Sequence, residues 1–170
     1  RPKSSAASDV YKRQSFNILA DLKQNLDKDL DSLMEKVIEW RHDIHEHPEL
    51  GNREFKTSKK IENHLRSLGI KAETNVAYTG VVGMLEGDLP GPTMALRADM
   101  DALPVEEKTG LPFASKVRTT YLGNDVGVMH ACGHDAHVAI LMGVAEFLAK
   151  NKSSLKGKVC LLYTSDAADD

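Results

Sequence analysis

The densest collection of reactive side chains is Met129-His130-Ala131-Cys132-Gly133-His134-Asp135-Ala136-His137. Thiolate sulfur and imidazole nitrogen are the usual ligands of zinc and similar divalent ions. Cys132 and His134 flank a glycine, which lets a backbone turn tightly enough for both side chains to enter one cavity. The stretch from Asp135 onward has helical apolar spacing, and the positive end of such a helix favours a thiolate over a thiol at Cys132. Asp135 suits either the helix N-cap or a carboxylate that steadies an imidazole from behind. Two ligands do not complete a tetrahedral site, which takes three or four. Spacing alone leaves two readings: a metal centre completed from elsewhere, or a buried cysteine beside histidines that cap a helix.

A second group is Arg97-Ala98-Asp99-Met100-Asp101-Ala102-Leu103-Pro104. Residues i and i+2 of a strand point the same way, so Asp99 and Asp101 are expected on one face at a strand's C-terminal end. Open α/β sheets build their sites at that edge. Two carboxylates there repel each other unless a cation, a proton or Arg97 intervenes; a solvated pair at a loop entrance is the plainer alternative. A third group, Arg41 to Leu50 (RHDIHEHPEL), sets His42 and Glu46 one helical turn apart. It lacks the H-E-x-x-H spacing of a helical zinc protease, and a helix end stopped by Pro48 is the simpler reading. His64 reads as a surface helix residue, and Glu106 and Glu107 as loop charges. A thiol function at Cys132 has little support, since the other cysteine, Cys160, lies far along the chain.

These groups need elements to hold them. Leu30, Leu33, Met34, Val37, Ile38 and Ile44 lie close to helical spacing, with Leu19, Leu22 and Leu26 a possible upstream extension. A second helix is expected from about Arg53 to Leu68, with Phe55, Ile61, Leu65 and Leu68 inward, Asn52 as N-cap and Gly69 as stop. Ile70 to Val76 and Gly80 to Glu86 have strand character, and Gly87 to Pro92 is turn material. Thr93 to Ala98 reads as a buried strand running into Asp99, and Leu103 to Gly127 as mostly loop. A helix over Asp135 to Lys150 turns Val138, Leu141, Met142, Ala145 and Leu148 inward, and Gly157-Lys158-Val159 begins another strand. Strand, helix and strand in this order predict an α/β fold, a three-layer sandwich with a mixed sheet.

The two ends look foreign to this pattern. Arg1 to Gln14 and Leu161 to Asp170 (LLYTSDAADD) resemble translated adapter sequence and lack periodicity that fits their neighbours. The expected organisation is therefore an artefactual or disordered tail over 1–14, a partial catalytic domain over 15–160, and a foreign segment over 161–170.

Three segments in order, Arg41 to Gly51 (RHDIHEHPELG), Ala95 to Glu107 (ALRADMDALPVEE) and Met129 to His137 (MHACGHDAH), resemble the N-terminal signatures of the M20 metallopeptidase family. The likeness is to its amidohydrolase branch, with its hippurate, N-acyl-amino-acid and indole-acetyl-amino-acid hydrolases. The resemblance implies a catalytic domain that binds two divalent ions (zinc, manganese, cobalt or nickel), a lid or dimerisation domain absent from this chain, and a homodimeric parent. It implies hydrolysis of N-acyl amino acids to a carboxylic acid and an amino acid. By position it makes Cys132 and His134 metal ligands and Asp101 an orienting residue, with Asp99, His130, Asp135 and His137 in supporting places. Asp99 stands where related peptidases have a metal-binding histidine. The family's general base, one of a Glu-Glu pair, belongs downstream; Asp169 and Asp170 fall a few residues too late to serve. This chain alone is then expected to be inactive. The alternative is a non-enzymatic domain with a structural Cys/His zinc site.

Composition narrows the field. Lys and Arg number 22 against 25 Asp and Glu, a net charge of −3, so no strong field favours nucleic acid or an anionic membrane. The longest apolar run, Val138 to Ala145, is far short of the roughly 20 residues needed to span a bilayer. Two cysteines are too few for a disulfide framework, and a cytoplasmic setting is the default expectation. The resemblance implies a small-molecule substrate as the partner.

Overall fold

The computed structural model describes residues 30–166. Arg1 to Gln14, Leu19, Leu22, Leu26, Asp169 and Asp170 lie outside them. The chain divides into two compact units, Arg1–Glu35 and Lys36–Asp170. Of the first, only helical residues 30–35 are described, with Leu33 buried and Leu30 exposed.

Helix α1 covers residues 30–46. Its inward face differs from the expected one: Ile44 and His45 are buried, Val37 and Trp40 half-buried, and Met34 and Ile38 exposed. Positions 37, 40 and 44 keep helical spacing, and the indole of Trp40 meets the His64 ring edge-on at 4.6 Å. Helix α2, Phe55–Ser67, starts later than expected. Asn52 is not its cap but sits upstream in a left-handed turn (φ 59). The Glu49 carboxylate instead accepts the free N–H groups of Lys56 and Thr57, at 3.0 and 2.9 Å. Phe55 is exposed, and Thr57, Ser58, Ile61 and Leu65 face the core. Gly69 does end the helix, at φ +75, with its N–H on the Arg66 carbonyl. His64 is no surface residue. Its Nε2 lies 2.9 Å from the Met142 carbonyl, and burial pushes its pKa down.

The strands are β1 (Lys71–Val76), β2 (Gly80–Glu86), β3 (Leu89–Asp99), a hairpin of β4 (Arg118–Tyr121) and β5 (Asn124–Gly127), and β6 (Lys156–Thr164). The main sheet has the order β1-β2-β6-β3. The first two pairings are antiparallel and β3 with β6 is parallel, so the sheet is mixed, as expected. Helix α3, His134–Lys150, connects the two halves. Three expectations change. Gly87 to Pro92 is not all turn, because β3 starts at Leu89. Thr93, Met94, Ala95 and Arg97 are exposed rather than buried, because β3 is the edge of the described sheet. The loop after Leu103 contains the β4–β5 hairpin, closed by Leu122 and Gly123 at φ 50 and 81, the paired positive values of a tight hairpin turn.

Val81, Leu85, Val159, Leu161 and Tyr163 form one core with Ile61 and Leu65 of α2 and Val138, Leu141, Met142 and Ala145 of α3. Each such side chain stabilises the fold by about 1.5–3 kcal/mol. Gly83 sits under α2, where a Cβ would meet Leu65 at 2.9 Å. The opposite face carries half-buried Val82, Cys160 and Leu162. Of the three layers expected, the described residues contain the sheet and one layer of helices. The alternation of buried and open residues along β6 continues unbroken past Val159, with Leu161 and Tyr163 fully buried. Leu161 to Thr164 therefore do fit their neighbours' periodicity.

Candidate metal centre

Parallel strands end together, and here β3 and β6 finish with Asp99 opposite Thr164. The Met100 N–H donates to the Thr164 carbonyl at 3.0 Å, which carries the chain past the sheet to Asp101. Ala102 donates to the Glu49 carbonyl at 2.8 Å, and Leu103 and Met129 exchange both backbone hydrogen bonds at 3.0 Å. The three motif segments are thereby stitched to one another at the C-terminal edge of the sheet. Gly133 then turns left-handed at φ 84, and α3 begins at His134. No atom lies within 4 Å of where its Cβ would be, so the backbone conformation and not space calls for glycine.

His134 is buried. Its Nδ1 lies 3.0 Å from the Asp101 carbonyl and 3.4 Å from Asp101 Oδ1. A hydrogen on Nδ1 leaves Nε2 with the lone pair, the arrangement of a metal-binding imidazole. Asp101 is 1% exposed. Its Oδ1 accepts the Asp166 N–H at 2.7 Å, while Oδ2 is buried with no hydrogen-bond partner. Asp99 is held by Arg97 at 2.6 Å and turns Oδ2 toward His137 Nδ1, 3.8 Å away. The His134 and His137 rings stack at 5.5 Å. Ligand atoms of Asp99, His134 and His137 all lie within 4.8 Å of one another. Cys132 is exposed on the turn before α3 and does not join this group. An unsatisfied buried carboxylate oxygen behind an imidazole, beside a second imidazole and a second carboxylate, suits a divalent ion. The nitrogen and oxygen donors match zinc, manganese, cobalt or nickel.

Asp135 is not the N-cap of α3; Gly133 holds that position. Asp135 Oδ2 instead accepts from His45 Nδ1 at 2.9 Å and Arg41 Nε at 3.1 Å. On the other side of the ring, His45 Nε2 lies 3.1 Å from Glu107 Oε1. One imidazole thus bridges two buried carboxylates, and it satisfies both only with a hydrogen on each nitrogen. Burial pushes the Asp135 carboxyl up, but hydrogen bonds from His45 and Arg41 and the nearby His130 outweigh it, and its pKa is lowered. Burial likewise opposes Glu107, but bonds from Thr109, the Ser115 backbone and His45 bring it below the usual range. His130 is buried with both ring nitrogens unpartnered. Burial, reinforced by His45 and His134, lowers its pKa to about 4 against the pull of Asp135 and Asp101.

Glu107 is a loop charge but not a solvated one, its side chain being buried against His45 and Ser115. His42 does not pair with Glu46 but stacks on Phe113 at 3.7 Å. The signal for Arg41 and His45 was available, because residues i and i+4 share a helix face. Nothing in spacing pointed to Glu107, which reaches them from a distant loop.

The model for peptidase family M20/M25/M40 matches residues 95–166, which hold the second and third motifs and β6. Over these residues the chain matches the M20 peptidase family. Among its relatives, thermostable carboxypeptidase 1 of Saccharolobus solfataricus is 49% identical over 144 residues, covering 84% of this chain and 35% of the relative. The N-acetyl-L-cysteine deacetylase of Bacillus subtilis is 42% identical over 153 residues, 90% of this chain and 35% of the relative. The crystal structure of Bacillus subtilis YXEP, described as a dinuclear metal binding peptidase from the M20 family, superposes with a TM-score of 0.69 at 42% identity. That match covers 78% of this chain and 35% of YXEP. The chain thus spans about a third of the length of the curated relatives it matches. No helix of the described residues is long and apolar enough to cross a membrane.

Proposed function

We propose that this chain is the N-terminal part of the catalytic domain of a metal-dependent amidohydrolase that cleaves N-acyl amino acids into a carboxylic acid and an amino acid. The observation that carries this reading is His134, clamped through Nδ1 by the Asp101 carbonyl with Nε2 left for an ion. The relatives' chemistry supports it: a carboxypeptidase and an N-acetyl-L-cysteine deacetylase both cut an amide at the nitrogen of an amino acid. Cys132 and His134 would hold metal, with two ions in the complete centre as in YXEP. Bound divalent ions would lower the pKa of a water and polarise the scissile carbonyl.

The chain's own residues do the positioning. Asp101 fixes the His134 tautomer, Arg97 orients Asp99, and the Arg41–Asp135–His45–Glu107 network holds the first turn of α3. The carboxylates near the site are engaged or, as with Asp101 Oδ2, buried. Among the described residues none is placed as a general base, whose loss costs about 10²–10⁴ in rate. The chain alone is therefore expected to be inactive. The reading implies a small-molecule substrate, a homodimeric parent and a cytoplasmic setting.

A chimera tests this: residues 15–160 joined to the downstream two thirds of the Bacillus subtilis deacetylase. Chelator-sensitive release of free amino acid from N-acyl amino acids, lost in His134→Ala, is the expected result. A folded, metal-loaded chimera that hydrolyses none of them refutes the proposal.

A further inference from the structure

We propose that the cavity between the Leu50–Ala102 bridge and the β4–β5 hairpin is the subsite for the acyl group, with Gly51 and Tyr121 setting the size of acyl group it takes. This deepens the amidohydrolase reading above and rests on it. The cavity has a volume of about 280 Å³. Its walls include the residues that follow Asp101 out of β3 and those that follow Thr164 out of β6, so it lies at the C-terminal edge of the sheet, where such folds bind their ligands. Its floor is hydrocarbon: Leu50 and Ala102, paired across a bridge and 5% and 3% exposed, with Leu103 beside them. Tyr121, 36% exposed, lines it from the hairpin, which Arg53 fastens by donating from Nη1 to the Thr120 carbonyl at 3.0 Å. Pockets for drug-sized molecules take roughly 300–1,000 Å³, so this one suits a phenyl or branched alkyl group and not a peptide. The amino-acid half of an N-acyl amino acid always carries a carboxylate, which is costly to place on hydrocarbon without a cation. Arg53 is the only cationic side chain among the described lining residues, and the hairpin already engages it. The acyl half needs no cation and gains by burial of its apolar body.

A second observation is Gly51 itself. It is not among the glycines with positive φ. A Cβ there would meet Asp101 Cβ at 3.9 Å and Ser165 Oγ at 4.0 Å, which is ordinary van der Waals contact. Neither the backbone nor a neighbour therefore calls for glycine, whose freedom in the unfolded chain makes it the costlier residue. What the missing side chain leaves is room in the cavity, between Asp101 and the segment leaving β6. A larger residue at this position would shorten the cavity on the side of Asp101 while leaving the fold intact.

Binding of N-benzoylglycine and N-acetylglycine to the 170-residue chain, followed by amide shifts in NMR with a chelator present, tests this. The expected result is saturable shifts at Gly51, Ala102, Leu103 and Tyr121 with the benzoyl compound, and binding about tenfold weaker or less with the acetyl compound. Gly51→Val should cut the benzoyl affinity by about tenfold and keep the parent circular dichroism spectrum. Tyr121→Ala, on the hairpin, should weaken it too and serves as the check if Gly51→Val does not fold. Benzoyl shifts no larger than the acetyl ones, or a benzoyl affinity unchanged in the folded variants, overturns the proposal. In the deacetylase chimera, Gly51→Val should lower kcat/KM for N-benzoylglycine by about tenfold relative to N-acetylglycine. Hydrolysis with that ratio unchanged overturns the subsite and leaves the amidohydrolase reading standing. A metal-loaded chimera that cleaves neither compound nor any other N-acyl amino acid overturns both.

Discussion

Replacing His45 with leucine removes the ring that bridges Asp135 and Glu107 while keeping similar bulk. His45 is 4% exposed, and both partner carboxylates are almost wholly buried. Two charge-assisted hydrogen bonds disappear, each worth about 1.5–3 kcal/mol. Asp135 keeps Arg41, and Glu107 keeps Thr109 and Ser115, so the low end applies and the loss should be about 3–4 kcal/mol. Against a typical total of about 5–15 kcal/mol, that is a large fraction. The loss should also depend on pH. Burial raises both carboxyls, but their hydrogen bonds win and hold both pKa values below normal. Such groups contribute stability above their unfolded pKa of about 4, and the contribution fades as pH falls through the folded values. The parent's advantage should therefore shrink below about pH 4.5. Urea unfolding followed by circular dichroism at several pH values measures it. His45→Gln, which keeps one donor, should fall between. A loss for His45→Leu below about 1 kcal/mol, or one independent of pH, refutes the reasoning.

Gly133→Ala should destabilise by about 1–2 kcal/mol from backbone strain alone, and Gly133→Asn by less, since asparagine tolerates the left-handed region better; equal costs would point to a steric cause instead. Leu161→Ala should cost about 2–5 kcal/mol in urea unfolding, because Leu161 is fully buried in β6, whereas a near-neutral result would mean that β6 ends before it. His64 should titrate by NMR below the ordinary histidine value, its burial favouring the neutral form. It then contributes stability above its unfolded pKa and loses it as pH falls; a normal or raised midpoint contradicts its packing beside Trp40.

Much of the scaffold was legible because it rests on local rules. The Gly69 stop, the β2 boundaries and the inward face of α3 follow from turn chemistry and periodicity. The errors came where distant residues intervene. Asn52 has the right chemistry for a cap, but Glu49 reaches the N-terminus of α2 first. Met34 and Ile38 are apolar, yet they stay exposed, and Trp40 joins the expected Val37 and Ile44 on the inward side. At the site, the placing of Asp101 and His134 at one edge could be read from residue type and order. A carboxylate steadying an imidazole was one of two readings of Asp135, but which ring it meets was not legible, because His45 and its neighbour Arg41 arrive from another helix. Glu107 looked like its exposed neighbour Glu106, and only the folded path of the loop separates them.

That path shapes how this protein can vary. The loop from Leu103 to the hairpin starts paired with Met129 of the third motif and exposes Val105 and Leu111 to solvent, yet it is moored at Glu107 to the same histidine that steadies α3. Substitutions at the outer positions can remould the rim of the centre while its floor stays in register. A change at Glu107 disturbs rim and floor together, so diversity among natural variants should gather on either side of that one anchored residue.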